Sequence, residues 1–254
     1  MPDQNSFSRR EVIIGGLAAV GGLLLPGCNK QITLPPTYGN LLRLGDNLTY
    51  VAHRTLLPGQ RLAREYRHQD ISSFPATGTV DPGEPGKPNS SELYRRLQGG
   101  GFADWRLSVE GSVARPGSYS LADLKRFPSR TQITRHTCEE GWSAIGEWTG
   151  VPLSRVLEAV GLLPSACCVC FYSYDDWADS IDLLDALHPQ TLLAYGMNGR
   201  DLPIPHGAPL RLRVERQIGY KSMKYLQRIV VKDVFDDGGD KGNPKNGWAW
   251  YTGI

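Results

Sequence analysis

Three observations predict an α+β fold built on a mixed β-sheet for this chain of 254 residues. Glycine and proline number 29 and 18 and are scattered without period. That distribution asks for many turns between short strands and excludes a helical bundle or a collagen repeat. Short runs alternate apolar and polar at period two, and the clearest helical spacing, at Leu153, Val156, Leu157 and Val160, lasts only two turns. Strands interrupted by short helices without regular β-α-β spacing do not make a doubly wound parallel sheet. With 40% hydrophobic and 21% charged residues the chain can bury a sizeable core. The 28 basic and 26 acidic residues give a net charge of +2, with no basic block interleaved with aromatics, so nucleic acid is not an expected partner.

The elements follow in order. Residues 1–28 carry Arg9-Arg10, an apolar run from Val12 to Leu25 and then Gly27-Cys28. The run is too short and too glycine-rich for a comfortable permanent span, and fits the apolar region of an export signal. Ser8 to Ile13 resembles the twin-arginine signal, whose route carries proteins already folded. Leu25-Pro26-Gly27-Cys28 resembles a lipobox, in which the cysteine becomes the lipidated first residue. The expected location is therefore periplasmic or otherwise extracytoplasmic, with the chain either released by ordinary signal cleavage or held by a lipid anchor at Cys28. Residues 29–102 read as an irregular wrapping segment, with Pro35-Pro36 and a proline- and glycine-rich stretch from Asp81 to Pro88. Residues 103–235 read as the core. There Trp105 to Glu110 alternates as a strand, Leu121 to Phe127 makes a short helix behind Ser120, and Gln132 to Cys138 is a second strand. Gly161 stops the helix that begins at Leu153, and Val169 to Tyr172, Leu210 to Val214 and Arg228 to Val231 are further strands. Residues 236–254 read as a C-terminal tail.

Chemistry centres on one of five cysteines. Cys167, Cys168 and Cys170 lie too close together to frame disulfide loops among themselves, and in an extended run Cys168 and Cys170 share a face, as packed core residues do. No second ligand cluster is spaced to complete a zinc site. Cys138 ends a strand and enters a glycine-containing loop, where a side chain can meet a ligand. Two uses are open to its thiolate: nucleophilic catalysis with His136, two residues back on the same strand face, or soft ligation of a transition metal.

The blocks RHTCEEGWSAIGEWTGVPL (Arg135 to Leu153), LHPQTLLAYGMNGRDLPIPHGAPLRLR (Leu187 to Arg213) and GYKSMK (Gly219 to Lys224) resemble, in order and spacing, the molybdopterin-binding domain of the sulfite-oxidase family. The likeness runs from Ala103 to Asp233 and more loosely over Phe74 to Asp81. It leans toward the exported bacterial members, among them reductases of protein-bound methionine sulfoxide. The resemblance implies one molybdenum held by molybdopterin, with Cys138 as metal ligand and catalytic residue. It implies cofactor contacts at His206 and Arg211, at the turn of Ser222, Met223 and Lys224, at Ser173, and at Arg54 in an upstream His53-Arg54 segment. Ser72, Phe74 and Gly78-Thr79 resemble a further cofactor-lining loop, and Trp142 and Trp148 either wall the pocket or pack the core. His206 departs from the reductases, which carry asparagine there, and matches the sulfite oxidases. Glu139, Glu140 and Asp175 read as solvated edges outside the site. The expected activity is two-electron oxygen-atom transfer, reducing an S-oxide or N-oxide that is a small molecule or protein-bound. The alternatives are a sulfite dehydrogenase of the same family or an inactive periplasmic binding domain. No haem-attachment motif is present, so a membrane haem protein or a cytochrome c is the expected electron partner. The family's dimerisation domain finds no counterpart after Asp233, which makes a monomer the expected state.

Overall fold

Among the residues described by the computed structural model, 41–57, 61–234 and 248–254, ten strands pair into two five-stranded sheets. In the first, β1 (Leu107–Gly111), β2 (Gly117–Tyr119), β5 (Cys168–Ser173), β6 (Ala178–Asp182) and β10 (Leu226–Lys232) lie in the order β2-β1-β10-β5-β6. The β1–β10 pair is parallel and the rest antiparallel, which makes the sheet mixed. The second sheet is antiparallel, with β3 (Arg130–Thr137), β4 (Ser143–Pro152), β7 (Leu192–Met197) and β8 (Arg200–Asp201) in order, and β9 (Arg211–Arg213) paired to β7. The export signal read over residues 1–28, with Arg9, Arg10 and Cys28, lies outside the described residues.

Five α-helices accompany the described strands: α1 (Leu41–Leu56), α2 (Glu92–Gly99), α3 (Leu121–Leu124), α4 (Leu153–Val160) and α5 (Leu183–Ala186). Leu153, Val156, Leu157 and Val160 of α4 are fully buried and share one core with Phe171 and Ile229 of the first sheet and Leu193 and Leu212 of the second. The two sheets are thus held on a common apolar layer, the largest favourable contribution to such a fold. Ser120 and Asp123 cap α3 reciprocally, each side chain accepting the other's backbone N–H.

Three segments differ from the sequence reading. The stretch read as irregular contains α1 and α2. Helix α1 docks through Tyr50 onto Trp250 and Tyr251, at ring separations of 4.9 and 5.1 Å. Such a helix takes its stability from a distant partner more than from local propensity. The predicted helix after Ser120 ends at Leu124 rather than Phe127. Residues 248–254 are fastened by an isolated bridge between Gln217 and Gly253 and by Ile218 N–H donating to the Thr252 carbonyl at 3.0 Å.

Candidate active site

Cys138 sits at the tip of the β3–β4 hairpin. Its N–H donates to the Trp142 carbonyl at 2.9 Å and its carbonyl accepts from Gly141 N–H at 3.1 Å. Gly141 makes this turn possible, since its φ of +89° lies in the region that side chains disfavour. The thiol is 5% exposed and opens onto a cavity of about 310 Å³. Burial, reinforced by Glu139, raises its pKa above the ordinary thiol range.

Four other segments close the cavity. The turn from Gly219 to Lys224 supplies Ser222, Met223 and Lys224. It is stitched to β9 by Leu212 N–H donating to the Met223 carbonyl at 2.8 Å and Val214 N–H to Ser222 Oγ at 3.1 Å. The Lys224 ammonium donates to the carbonyls of Thr77 at 2.9 Å, Pro205 at 3.2 Å and Thr79, so it anchors the loop of Thr77, Gly78 and Thr79 on the opposite wall. Burial and the nearby Arg211 lower its pKa to about 8. The turn after β5 brings in Asp175 and Trp177, and the C-terminal segment brings in Trp248, packed edge-on against Trp177 at 5.2 Å.

His136, the last inward-facing residue of β3, lines the cavity beside Cys138. Arg213 Nη1 donates to its Nδ1 at 2.6 Å, and Glu215 holds Arg213 through Nε at 3.1 Å and Nη2 at 2.8 Å. Gln132 adds a hydrogen bond to the same carboxylate at 3.0 Å. Burial first, then Arg213 and Arg211, lower the His136 pKa to about 2. A neutral imidazole whose Nδ1 is already occupied cannot take the Cys138 proton, and the thiol's own pKa is raised. The nucleophilic pairing of the two residues therefore finds no support in this geometry.

The other residues named from the sequence fall in different places. Arg211 is buried beside the cavity rather than on its wall; it donates to the carbonyls of His206 at 2.9 Å and Ser222 at 2.7 Å and lies over the Trp148 ring at 4.9 Å. His206 stands next to it, edge-on to Phe74 at 5.6 Å, with its pKa lowered to about 4 by burial and Arg211. Ser173 is one layer back, its hydroxyl donating to Asp175 and accepting from Trp177 N–H at 3.1 Å. Phe74 also meets Trp142 and His136, while Trp148 is fully buried core. Arg54 is not brought to the cavity. It pairs with Asp182 and Asp185, each at 2.8 Å, between the rings of Tyr50 and Tyr251. Glu139 and Glu140 are exposed, as read from the sequence, and border the cavity, whereas Asp175 is buried in its wall. Position two residues before Cys138 is the sequence signal for His136; nothing local in the sequence announces Arg213 as its partner.

The Cys138 thiol offers the cavity a soft donor of the kind a transition metal takes. One buried thiol lines the cavity, with Lys224 on its wall and Arg211 behind it, and no trio of His, Cys, Asp or Glu among the described residues forms an all-protein metal cage. Trp177, on the cavity wall, is among the buried residues whose donor nitrogen has no hydrogen-bond partner among the described residues, a cost that a bound acceptor would remove.

These features fit a site that holds a metal through one thiol, with the rest of its coordination supplied by something other than protein side chains. Residues 98–238, more than half of the chain, match the family described as the oxidoreductase molybdopterin binding domain, and the chain belongs to that family, with the fold of the sulfite-oxidase type. It is accordingly a molybdopterin-dependent enzyme. Across its whole length it is 32% identical to a putative protein-methionine-sulfoxide reductase subunit YedZ1 of Azospira oryzae, covering 88% of that protein. It is 30% identical over 249 residues to the protein-methionine-sulfoxide reductase catalytic subunit MsrP of Xanthomonas axonopodis pv. citri, covering 89% of this chain and 71% of the relative. The sulfane dehydrogenase SoxCD of Paracoccus pantotrophus shares the fold with a TM-score of 0.52 and 24% identity; the match spans 56% of this chain and 41% of that one.

Proposed function

We propose that this enzyme reduces a neutral S-oxide, a thioether oxide of the methionine sulfoxide class, with Cys138 as the protein's ligand to molybdenum. One observation carries the choice of substrate. Glu139, Glu140 and Asp175 line the cavity with Cys138, whereas the single Lys or Arg among the described lining residues is Lys224, whose ammonium is spent on three backbone carbonyls. Anionic sulfite meets like charge on that wall, and a neutral oxide does not. The names of the Azospira and Xanthomonas relatives agree with this reading.

When bound, the cofactor supplies the oxygen-atom transfer itself. Overall, one sulfoxide with two electrons and two protons gives one thioether and one water: the sulfur is reduced, and an external haem protein, either membrane-bound or a cytochrome c, is oxidised in two one-electron steps. The chain's own residues bind and orient. The Cys138 sulfur holds the metal, and the cationic charge of that centre offsets the burial that otherwise keeps the thiol protonated. The turn of Ser222, Met223 and Lys224 would hold the pterin and its phosphate, and Arg211, which donates to the Ser222 and His206 carbonyls, would fix that turn together with His206 from beside the cavity. Ser173 acts through Asp175 and the Trp177 backbone, which it fixes. Residues 1–28 export the folded enzyme by the twin-arginine route, leaving a mature chain anchored through lipidated Cys28.

Parallel assays test the activity. Molybdenum-replete enzyme is expected to oxidise a reduced viologen dye with methionine sulfoxide and to show little sulfite-dependent reduction of cytochrome c. Robust sulfite oxidation without oxide reduction overturns the assignment and favours the reading that His206 suggests. Mass spectrometry of the native protein is expected to find Cys28 first and acylated; an intact Met1 contradicts export.

A further inference from the structure

The inner face of β3 is polar where a core strand is apolar: Gln132, Thr134 and His136 alternate inward and are all buried. Burying three polar side chains in a row is costly unless they are used. Two of them belong to one relay. The Glu215 carboxylate accepts from Gln132 and holds the Arg213 guanidinium in a fork, and Arg213, pressed over the Trp148 ring at 4.4 Å, donates its remaining arm to His136 Nδ1.

The direction of that last bond fixes the tautomer. A guanidinium has five N–H groups and no lone pair to offer, so Nδ1 must accept and the ring proton sits on Nε2. The ring cannot rotate away, because Phe74 and Trp142 flank it at 5.2 and 5.6 Å. Nε2 faces the turn of Gly219, where an added Cβ would lie only 2.5 Å from it. Both Gly219 and His136 are on the cavity wall, and Nε2 has no hydrogen-bond partner among the described residues.

We propose that His136 is a specificity-determining and catalytic residue, its Nε2–H donating a hydrogen bond to the oxygen of the S-oxide, with Arg213 and Glu215 as the positioning residues that aim it. This rests on the S-oxide reading of the site. The oxygen of a sulfoxide is a strong acceptor and gains negative charge as its bond to sulfur breaks, so a donor fixed in advance strengthens most in the transition state. The thioether product has lost that oxygen and is released from the same contact. The device therefore separates substrate from product by one hydrogen bond.

The test compares His136→Leu, His136→Gln and His136→Asn in the molybdenum-loaded enzyme. The glutamine amide nitrogen reaches about as far as Nε2 and the asparagine nitrogen only as far as Nδ1. Leu and Asn are expected to lower kcat/KM for methionine sulfoxide by roughly 100-fold or more, mostly in kcat, and Gln is expected to restore most of it. Molybdenum content is expected to match wild type in all three. Calorimetric binding of dimethyl sulfoxide relative to dimethyl sulfide is expected to drop toward parity in the Leu variant. Unchanged kcat/KM and binding ratio in that variant overturn the proposal, and so does loss of molybdenum in both the Leu and Gln variants, which would make the ring a cofactor contact. Should the variants fail to fold, nitrogen-15 histidine spectra of the wild type decide it: the Nε2–H resonance is expected to shift with sulfoxide and not with sulfide, and no shift overturns the proposal. A molybdenum-replete wild type that reduces no S-oxide defeats the underlying reading of function instead, before any variant is compared.

Discussion

Two buried arginines, Arg54 and Arg213, look alike chemically and serve different parts of the molecule. Arg54 pairs with Asp182 and Asp185 between two tyrosine rings, joining α1, the start of α5 and the C-terminal segment. None of its partners faces the cavity. Arg213 has one carboxylate, Glu215, at 2.8 Å and gives its remaining arm to His136, which does face the cavity. The first arrangement stays among structural partners and fastens α1 to the C-terminal segment; the second ends in an N–H beside Cys138. Burial and ion pairing alone do not separate a clasp from a working relay, because what decides is where the last hydrogen bond points.

The largest expected effect comes from breaking each pair in turn. Arg54→Met and Arg213→Met should each lower stability by about 3–5 kcal/mol in denaturant titrations, since each strands buried carboxylate. Only Arg213→Met should also cut kcat/KM for the S-oxide, by roughly 100-fold. A matching loss of turnover per bound molybdenum in Arg54→Met would erase the distinction. A second contrast concerns charge at the cavity. Neutralising Glu139 and Glu140 together, both to Gln, should tighten inhibition by sulfite roughly tenfold at low salt and less at high salt. An unchanged inhibition constant would mean that the carboxylates do not screen the substrate.

Smaller effects follow from protonation and exposure. The Lys224 pKa is about 8 in the folded chain against an ordinary 10.5, so between those values the unfolded chain holds more protons. Stability of the cofactor-free protein should therefore rise with pH from about 8 to 10, and Lys224→Met should flatten that rise. Over the same window the neutral amine has one N–H fewer for its three carbonyls, and cofactor affinity should weaken. Least affected is the exposed pair of Arg228 and Glu110 at 3.2 Å. Glu110→Gln should cost less than about 1 kcal/mol in thermal melts, although the pair has the same chemistry as the two buried clusters.

How far the sequence reveals all this depends on how local each feature is. Period-two alternation marks β1, β3 and β10, and the four apolar positions of α4 mark its buried face, because burial of one face is written into neighbouring residues; β5 instead reads as a short unbroken apolar run and is buried on both faces. Helix α1 is not legible: Gly45 interrupts it, prolines flank it, and its support comes from Trp250 and Tyr251 some two hundred residues away. In the site, Cys138 shows itself by ending a strand at a glycine turn, and Ser222, Met223 and Lys224 by their block. Arg54 stands out in the sequence and lies elsewhere; Glu139 and Glu140 are the solvated edges they read as, though at the cavity border, and Asp175 is instead buried in the cavity wall. The bond from Arg213 to His136 spans 77 residues and joins β9 to β3, two strands that do not pair with each other, so no spacing rule foretells it.

The most direct measurement is the molybdenum content, by elemental mass spectrometry, of the native enzyme and its Cys138→Ala variant. Near-stoichiometric metal in the wild type, and its loss from a variant that keeps the wild-type circular dichroism spectrum, is the expected result. Full molybdenum in the folded variant would contradict the assignment of Cys138 as the ligand on which the site is built.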